Sequence, residues 1–339
     1  MSLMIDGELH EDWLDSETEG GEFVRKESQF RHWVTPDGSP GPSGEGGFAA
    51  EPGRYHLYVS YACPWAHRTL ILRRLKALED IISVSVVHPH MGPRGWAFAG
   101  TALEDAWPAF SPEFPGASRD DVNGAAFMYE LYRLARHDYT GIVTVPVLWD
   151  KHRRTIVNNE SAEIVRMLNS AFDAWGEAGL DLYPEDLREE IETVNDWVYT
   201  DVNNGVYRTG FARTQAAYER AFDRLFAALE ALEERLGERR YLAGARITEA
   251  DWRLFTTLVR FDPVYYVHFK CNQRRIADYP HLSNYLRELY QWPGVAQTVH
   301  FDHIKHHYYT SHPELNPGRI VPKGPVLALD APHERGRPR

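Results

Sequence analysis

One of the chain's two cysteines, Cys63, directly precedes a proline in the stretch YACPWAHR at residues 61–68. The residues YHLYVS before it predict a strand, and those from Pro64 onward predict a helix. Backbone N–H groups and the positive end of the helix dipole meet at such a junction, where they stabilise a thiolate. Because the thiolate is the reactive form, the sequence predicts that Cys63 is a nucleophile. A small buried core residue is the alternative interpretation.

Cys63 has no second cysteine at the spacing of a C-x-x-C pair, because Ala66 occupies that position. The internal disulfide chemistry of a thioredoxin is therefore excluded, and a mixed disulfide on Cys63 must be resolved by a separate thiol. Glutathione is the expected thiol in a reducing cytosol. The other cysteine, Cys271, has no evident base beside it, and we interpret it as a structural residue.

Pro146 in the stretch TVPV is the next feature that could serve binding. A proline at this point of a predicted strand argues against ordinary ladder pairing. A cis bond before it would expose the backbone of Val145 to a peptide-like ligand, in the manner of strand addition. A proline on an edge strand explains the same spacing equally well, and the sequence leaves both explanations open.

The stretch NES at 159–161 places Glu160 and Ser161 at the start of a predicted helix. The N–H groups and hydroxyl at a helix N-terminus suit a carboxylate, and a glutamate suits an ammonium group. Together these groups fit the amino-acid head of a γ-glutamyl ligand. Plain capping of the helix is the alternative interpretation.

Histidines recur near the C-terminus, at His300, His303, His306, His307 and His312. His303 and His307 have the spacing of two metal ligands on one helix face. No carboxylate or thiolate set completes such a site, so we expect no metal.

The whole chain has 339 residues and a formal net charge of −12. The negative charge argues against binding to nucleic acid and to anionic membrane surfaces. Two distant cysteines cannot form a disulfide framework, which is typical of a reducing compartment. The N-terminus lacks a signal-peptide pattern, and no apolar run is long enough to span a membrane. We therefore expect a cytoplasmic protein.

The elements around Cys63 alternate between strand and helix, which indicates an open sheet with helices on its faces. In the helix that follows Cys63, an apolar stripe at Ile71, Leu75 and Leu78 predicts the buried face, and Arg68 and the other basic residues lie outside that stripe. The predicted elements are, in chain order, strand 55–60, helix 64–78, strand 82–87, helix 125–136, hairpin strands 143–150 and 155–157, and helix 159–172.

The second half of the chain reads as helical only, with predicted helices at 218–236, 247–261 and 279–291. Thr248 and Asp251 form a capping-box pattern at the start of the second of these. The fold class expected is therefore α/β + all-α. The expected organisation is an N-terminal arm at 1–52, an α/β domain at 53–172, an all-helical domain at 185–310 and a C-terminal tail at 311–339.

Residues 1 to about 52 are polar and rich in glycine, and we predict that they form a loop or arm and not a core element. The tail from about Ser311 is rich in proline and glycine. Aromatic residues in the N-terminal arm nevertheless suggest that it packs onto a domain; they are Trp13, Phe23, Phe30 and Trp33. The arginines of the tail are interpreted as a solvated end; they are Arg335, Arg337 and Arg339.

With these features in place, the chain resembles the glutathione transferase superfamily, and most of all its Xi class, the glutathionyl-hydroquinone reductases. The resemblance implies a thioredoxin-like N-terminal domain, an all-helical glutathione-transferase C-terminal domain and a homodimer. It covers nearly the whole chain. The stretches that carry it are YVSYACPWAHRTLI, SVSVVHP, GW at 95–96, TVPVLWD, NESAEIVRM, NNGVYRTGFA, ITEADWRL, RFDPVYYVHFKC and FDHIKHHYY.

Carried over position by position, the resemblance implies a role for each matching residue of the N-terminal domain. Cys63 is implied as the nucleophile. The residues implied to hold glutathione are Trp96, Val145, Glu160 and Ser161.

The resemblance also implies three tyrosines on the substrate side. Tyr207 of NNGVY and Tyr308 of HHYY are implied to face the quinol and to act in catalysis, with Tyr265 of DPVY nearby. A hydroquinone has an oxygen at each end of its ring, and tyrosine offers both an aromatic face and a hydroxyl. On the residues alone, the tyrosines fit core aromatics as well.

The implied reaction is glutathione-dependent reduction of glutathionyl-hydroquinones to hydroquinones through a mixed disulfide of Cys63 with glutathione. One alternative is an Omega-like monothiol thioltransferase or dehydroascorbate reductase, and another is a non-catalytic glutathione-binding scaffold. The chain departs from the family in two places. Ile142 stands where the family often has Arg after Gly141, and the stretch at 98–114 is longer than usual.

Overall fold

The computed structural model describes residues 2–10, 18–102 and 111–336. Trp13, Arg337, Arg339 and part of the 98–114 stretch lie outside the described residues. The chain forms two compact units. Unit 1 comprises Met1–Glu17, Arg25–Leu180 and His300–Ser311, and unit 2 comprises Thr18–Val24, Asp181–Val299 and His312–Arg339. The domain boundaries expected from the sequence stay predictions.

The described strands and helices follow the predicted order closely. The strands are β1 (Ser2–Ile5), β2 (Glu8–His10), β3 (Thr18–Glu19), β4 (Glu22–Phe23), β5 (Tyr55–Val59), β6 (Ser83–Val86), β7 (Gly141–Val143), β8 (Val147–Asp150) and β9 (Thr155–Asn158). The α-helices are α1 (Pro64–Leu75), α2 (Met128–Ala135), α3 (Ser161–Ser170), α4 (Arg188–Val198), α5 (Gly205–Gly210), α6 (Gln215–Glu238), α7 (Glu249–Arg260), α8 (Tyr266–His268), α9 (Pro280–Tyr290) and α10 (Phe301–Ser311).

The main sheet of unit 1 has the strand order β6-β5-β8-β9. β5 and β6 are parallel, and β8 is antiparallel to both β5 and β9. The predicted open sheet is thus confirmed. The strand predicted at 143–150 is split, because β7 ends at Val143 and β8 begins at Val147. Pro146 lies in this break, where it has no N–H to give to a ladder.

A second sheet in unit 1 contains residues that the sequence assigned to the arm. β1 pairs antiparallel with β7, placing Ser2 opposite Val143, and β2 pairs with β1. Met4 is fully buried within it. The prediction that the first 52 residues carry no core element is therefore wrong. Local pattern could not reveal this pairing, because its two strands are far apart in sequence.

The apolar-stripe prediction for α1 is incomplete, because a basic residue of the helix, Arg68, and the basic residue that caps its C-terminus, Lys76, are buried. Lys76 donates to Asp173 at 2.9 Å and to the carbonyl of Leu180 at 2.8 Å. Arg68 is 1% exposed and lies over the Trp65 ring, with its guanidinium carbon 4.5 Å from the ring centroid. Both cations are buried among specific partners, which a pattern of apolar residues cannot show.

The stretch after β6 is linked by backbone hydrogen bonds between its own loop segments. His88 N–H donates to the carbonyl of Ala97, and Phe98 N–H donates to that of Ala126. The loop that follows is organised around Asp120, which accepts a hydrogen bond from Tyr58 at 2.8 Å. These backbone bonds and the contact with Tyr58 of β5 thus hold the described residues of this stretch in place.

Unit 2 is built almost entirely of helices, as predicted. Thr248 and Asp251 form the predicted capping box at the start of α7. Two π-helical turns interrupt the regular helices, at Tyr199–Asn203 and Phe261–Tyr265. Such turns occur frequently at functional sites. None of the helices in the described ranges is long and apolar enough to cross a membrane.

The end of the described chain is docked onto unit 2. Arg335 donates to the buried carboxylate of Glu288 at 2.5 Å and also to the carbonyl of Arg240. Gln291 donates to the carbonyls of Leu329 and Ala331, each at 2.7 Å. The interpretation of Arg335 as part of a solvated end is therefore wrong.

Candidate active site

Cys63 caps the N-terminus of α1, where the sequence predicts it. Its backbone is extended, with φ −73° and ψ 123°, and Pro64 is the first helical residue. The first turn of α1 contains no acidic residue that would oppose a negative charge. The side chain is 9% exposed, and Cys63 is not in a disulfide. This position provides the helix-terminus field that favours a thiolate.

The backbone of Val145 contacts the sulfur of Cys63. As a thiol, Cys63 donates to the carbonyl oxygen of Val145, with Sγ and O 3.4 Å apart. The peptide bond between Val145 and Pro146 is cis, and Pro146 precedes β8 instead of lying within an edge strand. Of the two explanations that the sequence left open for Pro146, the structure has the cis bond.

Glu160 and Ser161 open α3, as predicted. Glu160 caps the helix, because its Oε1 accepts a hydrogen bond from the N–H of Ala162 at 3.0 Å. Ser161 is 3% exposed, and its hydroxyl lies 3.4 Å from an Nη of Arg68. A guanidinium beside a helix N-terminus makes this end of α3 suitable for a carboxylate. Sequence analysis missed Arg68, and its only signal was its place in CPWAHR.

Trp96 is held between backbone and helix. Its carbonyl accepts from Met128 N–H at 2.9 Å, and its indole ring stacks on His307 of α10 with centroids 4.6 Å apart. The ring is 3% exposed, and the described residues offer no hydrogen-bond acceptor to its Nε1. A buried donor of this kind suits a ligand that brings its own acceptor.

Tyr308 lies in unit 1 with these residues. It is 2% exposed and packs edge-on against His307, with ring centroids 5.2 Å apart. It occupies α10, which also carries His303, His306 and His307. Unit 1 therefore contains Cys63 and each residue predicted to hold glutathione, together with Tyr308.

Tyr207 and Tyr265 lie in unit 2, on α5 and at the end of the second π-helical turn. Their ring centroids are 6.1 Å apart. Tyr265 is fully buried and stacks on Phe269, and Tyr207 packs edge-on against the same ring. The two tyrosines thus belong to one aromatic cluster of unit 2, and their part in substrate binding stays a prediction.

The remaining candidate residues of the sequence have ordinary partners. Cys271 is fully buried, which raises the pKa of its thiol well above the usual range and fits a structural residue. His303 bonds to the carbonyl of Pro115 at 2.7 Å and His307 to that of Pro89 at 3.0 Å. Within the described residues, no group of three or more His, Cys, Asp or Glu could hold a metal ion.

Ile142, which stands where the family often has Arg, is a buried residue of β7. It pairs with Leu3 of β1, and its carbonyl accepts a hydrogen bond from the Tyr139 hydroxyl at 3.0 Å. An apolar side chain is therefore suited to this position.

Two family models match the chain. The glutathione S-transferase N-terminal domain matches residues 62–171, and the glutathione S-transferase C-terminal domain matches residues 215–288. The first match begins one residue before Cys63 and includes α3. The second covers most of the helical part of unit 2.

Curated relatives match over nearly their whole lengths. Glutathionyl-hydroquinone reductase YqjG of Escherichia coli K12 is 54% identical, over 99% of this chain and 98% of that protein. Glutathionyl-hydroquinone reductase PcpF of Sphingobium chlorophenolicum is 51% identical, over 97% of this chain and 98% of that protein.

Solved structures agree with these matches. The glutathione-bound structure of YqjG superposes with a TM-score of 0.88 at 52% identity, covering 99% of both chains. A Xi class glutathione transferase from Natrialba magadii superposes with a TM-score of 0.87 at 48% identity, covering 99% of this chain and 96% of that chain.

Proposed function

The chain belongs to the glutathione S-transferase family and, within it, to the Xi class of glutathionyl-hydroquinone reductases, and we propose that it catalyses the reaction of that class. It reduces glutathionyl-hydroquinones to hydroquinones and uses glutathione as its second substrate. The observation that carries this proposal is the position of one sulfur. Cys63 caps α1, and Ala66 stands where a second cysteine would resolve it internally.

In the first step, the Cys63 thiolate attacks the sulfur that joins glutathione to the quinol ring. A disulfide forms between Cys63 and glutathione as the bond from that sulfur to the ring carbon breaks. The ring carbon keeps the electron pair and takes up a proton, so that hydroquinone leaves. Reduction of the quinol conjugate is thus matched by oxidation of two sulfurs to a disulfide.

In the second step, a glutathione thiolate attacks the glutathione sulfur of the mixed disulfide. The Cys63 thiolate leaves, and oxidised glutathione is the product. The same site must therefore accept glutathione twice, once as part of the conjugate and once as the free thiol.

We assign four residues of unit 1 to holding glutathione. The backbone of Val145, whose carbonyl oxygen lies 3.4 Å from the Cys63 sulfur, is proposed to bond to the cysteinyl part of the ligand. Ser161 and the N-terminus of α3 receive the γ-glutamyl carboxylate, and Glu160 receives its ammonium group. The indole N–H of Trp96 donates to a ligand oxygen.

Tyr207 and Tyr308 are proposed to stabilise charge on the quinol oxygens while the ring carbon is protonated. Tyr265 is proposed to contact the same substrate. A phenol can donate to one oxygen and present its ring to the quinol, which suits both roles. These three assignments follow the family resemblance.

The decisive experiment follows glutathionyl-menadiol with excess glutathione by HPLC. We expect release of menadiol and oxidised glutathione by the wild-type protein, and loss of turnover in Cys63→Ser. Cys271→Ala is the matched control, because it removes the chain's other cysteine, which is fully buried. It should keep turnover.

Retained turnover in Cys63→Ser would contradict the mechanism. A wild-type protein that leaves the menadiol conjugate intact but reduces dehydroascorbate or small mixed disulfides would instead be an Omega-like thioltransferase. Glutathione binding with none of these activities would support the non-catalytic scaffold.

A homodimer in the cytoplasm completes the proposal. The family resemblance supports the dimer, and the reducing environment that Cys63 and its thiol co-substrate require supports the compartment. Light scattering coupled to size-exclusion chromatography tests the dimer, and a monomer mass would overturn it. Fractionation of the native cells tests the compartment.

A further inference from the structure

The N-terminal arm continues the main sheet beside the predicted glutathione site. We call residues 28–32 the arm strand. It runs antiparallel to the end of β9: His32 N–H donates to the carbonyl of Val157, and Asn159 N–H donates to that of Phe30, at 3.0 and 3.1 Å. The side chain of Asn159 accepts in turn from Phe30 N–H at 3.1 Å. β9 is the edge of its sheet, and the arm strand covers that edge.

Two side chains of the arm strand bind carboxylates at the start of α3. Ser28 Oγ lies 3.2 Å from Glu160 Oε2 and 3.2 Å from the carbonyl oxygen of Asn159. Arg31 forms a two-point ion pair with Glu163, with nitrogen–oxygen distances of 2.7 and 2.5 Å. The hydrogen bond to Glu163 raises the pKa of Arg31, which keeps the pair charged.

These contacts leave the Glu160 carboxylate fixed yet able to bind. Its Oε1 accepts from Ala162 N–H, and its Oε2 accepts from the Ser28 hydroxyl. A carboxylate has about four lone-pair sites, so each oxygen keeps capacity for a further donor. Glu160 and Ser28 are both partly exposed, so a ligand can reach them.

The ion pair between Arg31 and Glu163 also keeps Glu160 available for a ligand. Glu163 is three residues after Glu160 on the first turn of α3 and would otherwise compete for a cation. With its two oxygens bound to Arg31, Glu163 is neutralised, and Glu160 remains the carboxylate for a ligand's ammonium group.

We propose that the arm strand is part of the glutathione site and that Ser28 positions the Glu160 carboxylate to recognise the free α-ammonium group of the γ-glutamyl end. This inference rests on the proposed function, because it assigns Glu160 to glutathione. It gives the arm a role in selectivity: thiols without that ammonium group gain nothing from the prepared carboxylate. Fixing the carboxylate before binding reduces the entropy lost on binding.

The experiment measures binding of S-methylglutathione by calorimetry, so that no thiol chemistry intervenes. The second probe is the same molecule with its α-amino group replaced by hydrogen. We expect Ser28→Ala to weaken S-methylglutathione by roughly three- to tenfold, since one oriented hydrogen bond is lost. The desamino probe should bind Ser28→Ala and wild type equally. In turnover, the KM for glutathione should rise while kcat at saturation changes little.

Two matched variants complete the design. Ser39→Ala removes a hydroxyl from the same arm, at an exposed turn where it bonds to Asp37 at 2.7 Å, and should leave both affinities unchanged. Ser28→Thr keeps a hydroxyl and should restore most of the affinity. Equal weakening of both probes in Ser28→Ala would show a merely structural arm and overturn the inference, as would no weakening of either. Since calorimetry needs no turnover, failure of the reductase assay would overturn the proposed function and leave this test intact.

Discussion

The indole nitrogen of Trp96 is a buried donor for which the described residues supply no acceptor. Buried polar atoms in native proteins are nearly always satisfied, so an exception calls for an explanation. The Trp96 ring is fixed in its orientation, because His307 stacks on one of its faces with ring centroids 4.6 Å apart. A carbonyl or carboxylate oxygen of glutathione is the acceptor that the proposed function provides.

The variant Trp96→Phe tests whether the indole N–H of Trp96 donates a hydrogen bond to glutathione. Phenylalanine keeps an aromatic ring against His307 but removes the N–H, so affinity for S-methylglutathione should fall by about five- to tenfold, or about 1–1.5 kcal/mol. Trp149→Phe is the matched control, because the Nε1 of Trp149, on the buried strand β8, is another buried donor that finds no acceptor among the described residues. It should leave the affinity unchanged. Calorimetry that finds equal affinity in Trp96→Phe and wild type would contradict the assignment.

The residues of the site differ in how far the sequence could predict them. The location of Cys63 at a helix N-terminus follows from a local strand–proline–helix pattern. Glu160 and Ser161 follow in the same way from a helix start. Ser28 and Arg68 could not be predicted, because each matters only through a contact with a residue about 90 or more positions away.

At the scale of elements, α10 is joined to the loops of unit 1 largely through histidines. His303 and His307 bond to carbonyls of the 88–118 stretch, and His90 Nε2 lies 3.1 Å from His306 Nδ1. The Phe114 ring packs against four imidazoles of this group. Within the described residues, these contacts give His303, His306 and His307 a packing role.

Burial holds these histidines in the neutral form. It lowers the pKa of His88 to about 4, and it lowers the pKa of His303 and of His306. Asp302 opposes the shift at His306, and Lys305 adds to it. In the unfolded chain an imidazole has a pKa of about 6.5. Their contribution to stability is therefore full above about pH 6.5 and declines as the pH falls toward about 4.

The variant His88→Asn tests whether protonation of this histidine lowers the stability of the fold as the pH falls. The asparagine side chain can still accept from His90 N–H, as His88 Nδ1 does at 3.1 Å, but it does not titrate. Between pH 7 and pH 5 the wild type should lose about 2 kcal/mol more unfolding free energy than the variant. Urea unfolding at both pH values measures the difference. His137→Asn, at a side chain that is 92% exposed, is the control and should keep the wild-type slope. Parallel slopes for His88→Asn and wild type would contradict the argument.

Prediction of elements succeeded where the signal is local and failed where it is long-range. Local signals predicted the elements β5, α1, β6 and the hairpin of β8 and β9. These signals are the alternation of apolar and polar residues in strands, Pro64 at the start of a helix, and short turns. The pairing of β1 with β7 has no such signal, because β1 has only four residues and its partner is about 140 positions away. The arm strand is missed for the same reason, since its partner β9 lies far along the chain.

At the scale of the whole molecule, the described residues nearest each end of the chain make specific contacts. The N-terminal residues complete a sheet in unit 1, and the last described residues pack on the helices of unit 2. The sequence predicted a solvated C-terminal end and an N-terminal arm without core elements, because polar residues with glycine and proline usually form loops and tails. The docking depends on single buried groups, of which Glu288 is the clearest, and composition does not record where such groups lie.

Arg335→Ala measures how much the docked end contributes to the fold of unit 2. Arg335 is 10% exposed, and the Glu288 side chain it binds is fully buried, with Arg240 and Tyr241 as its other partners. Removing one cation from a buried carboxylate leaves charge that the remaining partners only partly offset, which should lower the unfolding free energy of unit 2 by about 2–3 kcal/mol. The docked segment loses its anchor at the same time, so proteolysis near residue 320 should become faster.

Arg246→Ala is the matched control, because it breaks an ion pair with Asp186 whose two side chains are 54% and 67% exposed, and such pairs stabilise little. Thermal unfolding should therefore shift clearly for Arg335→Ala and hardly for Arg246→Ala, and equal shifts would mean that the C-terminal segment lies on unit 2 without supporting it.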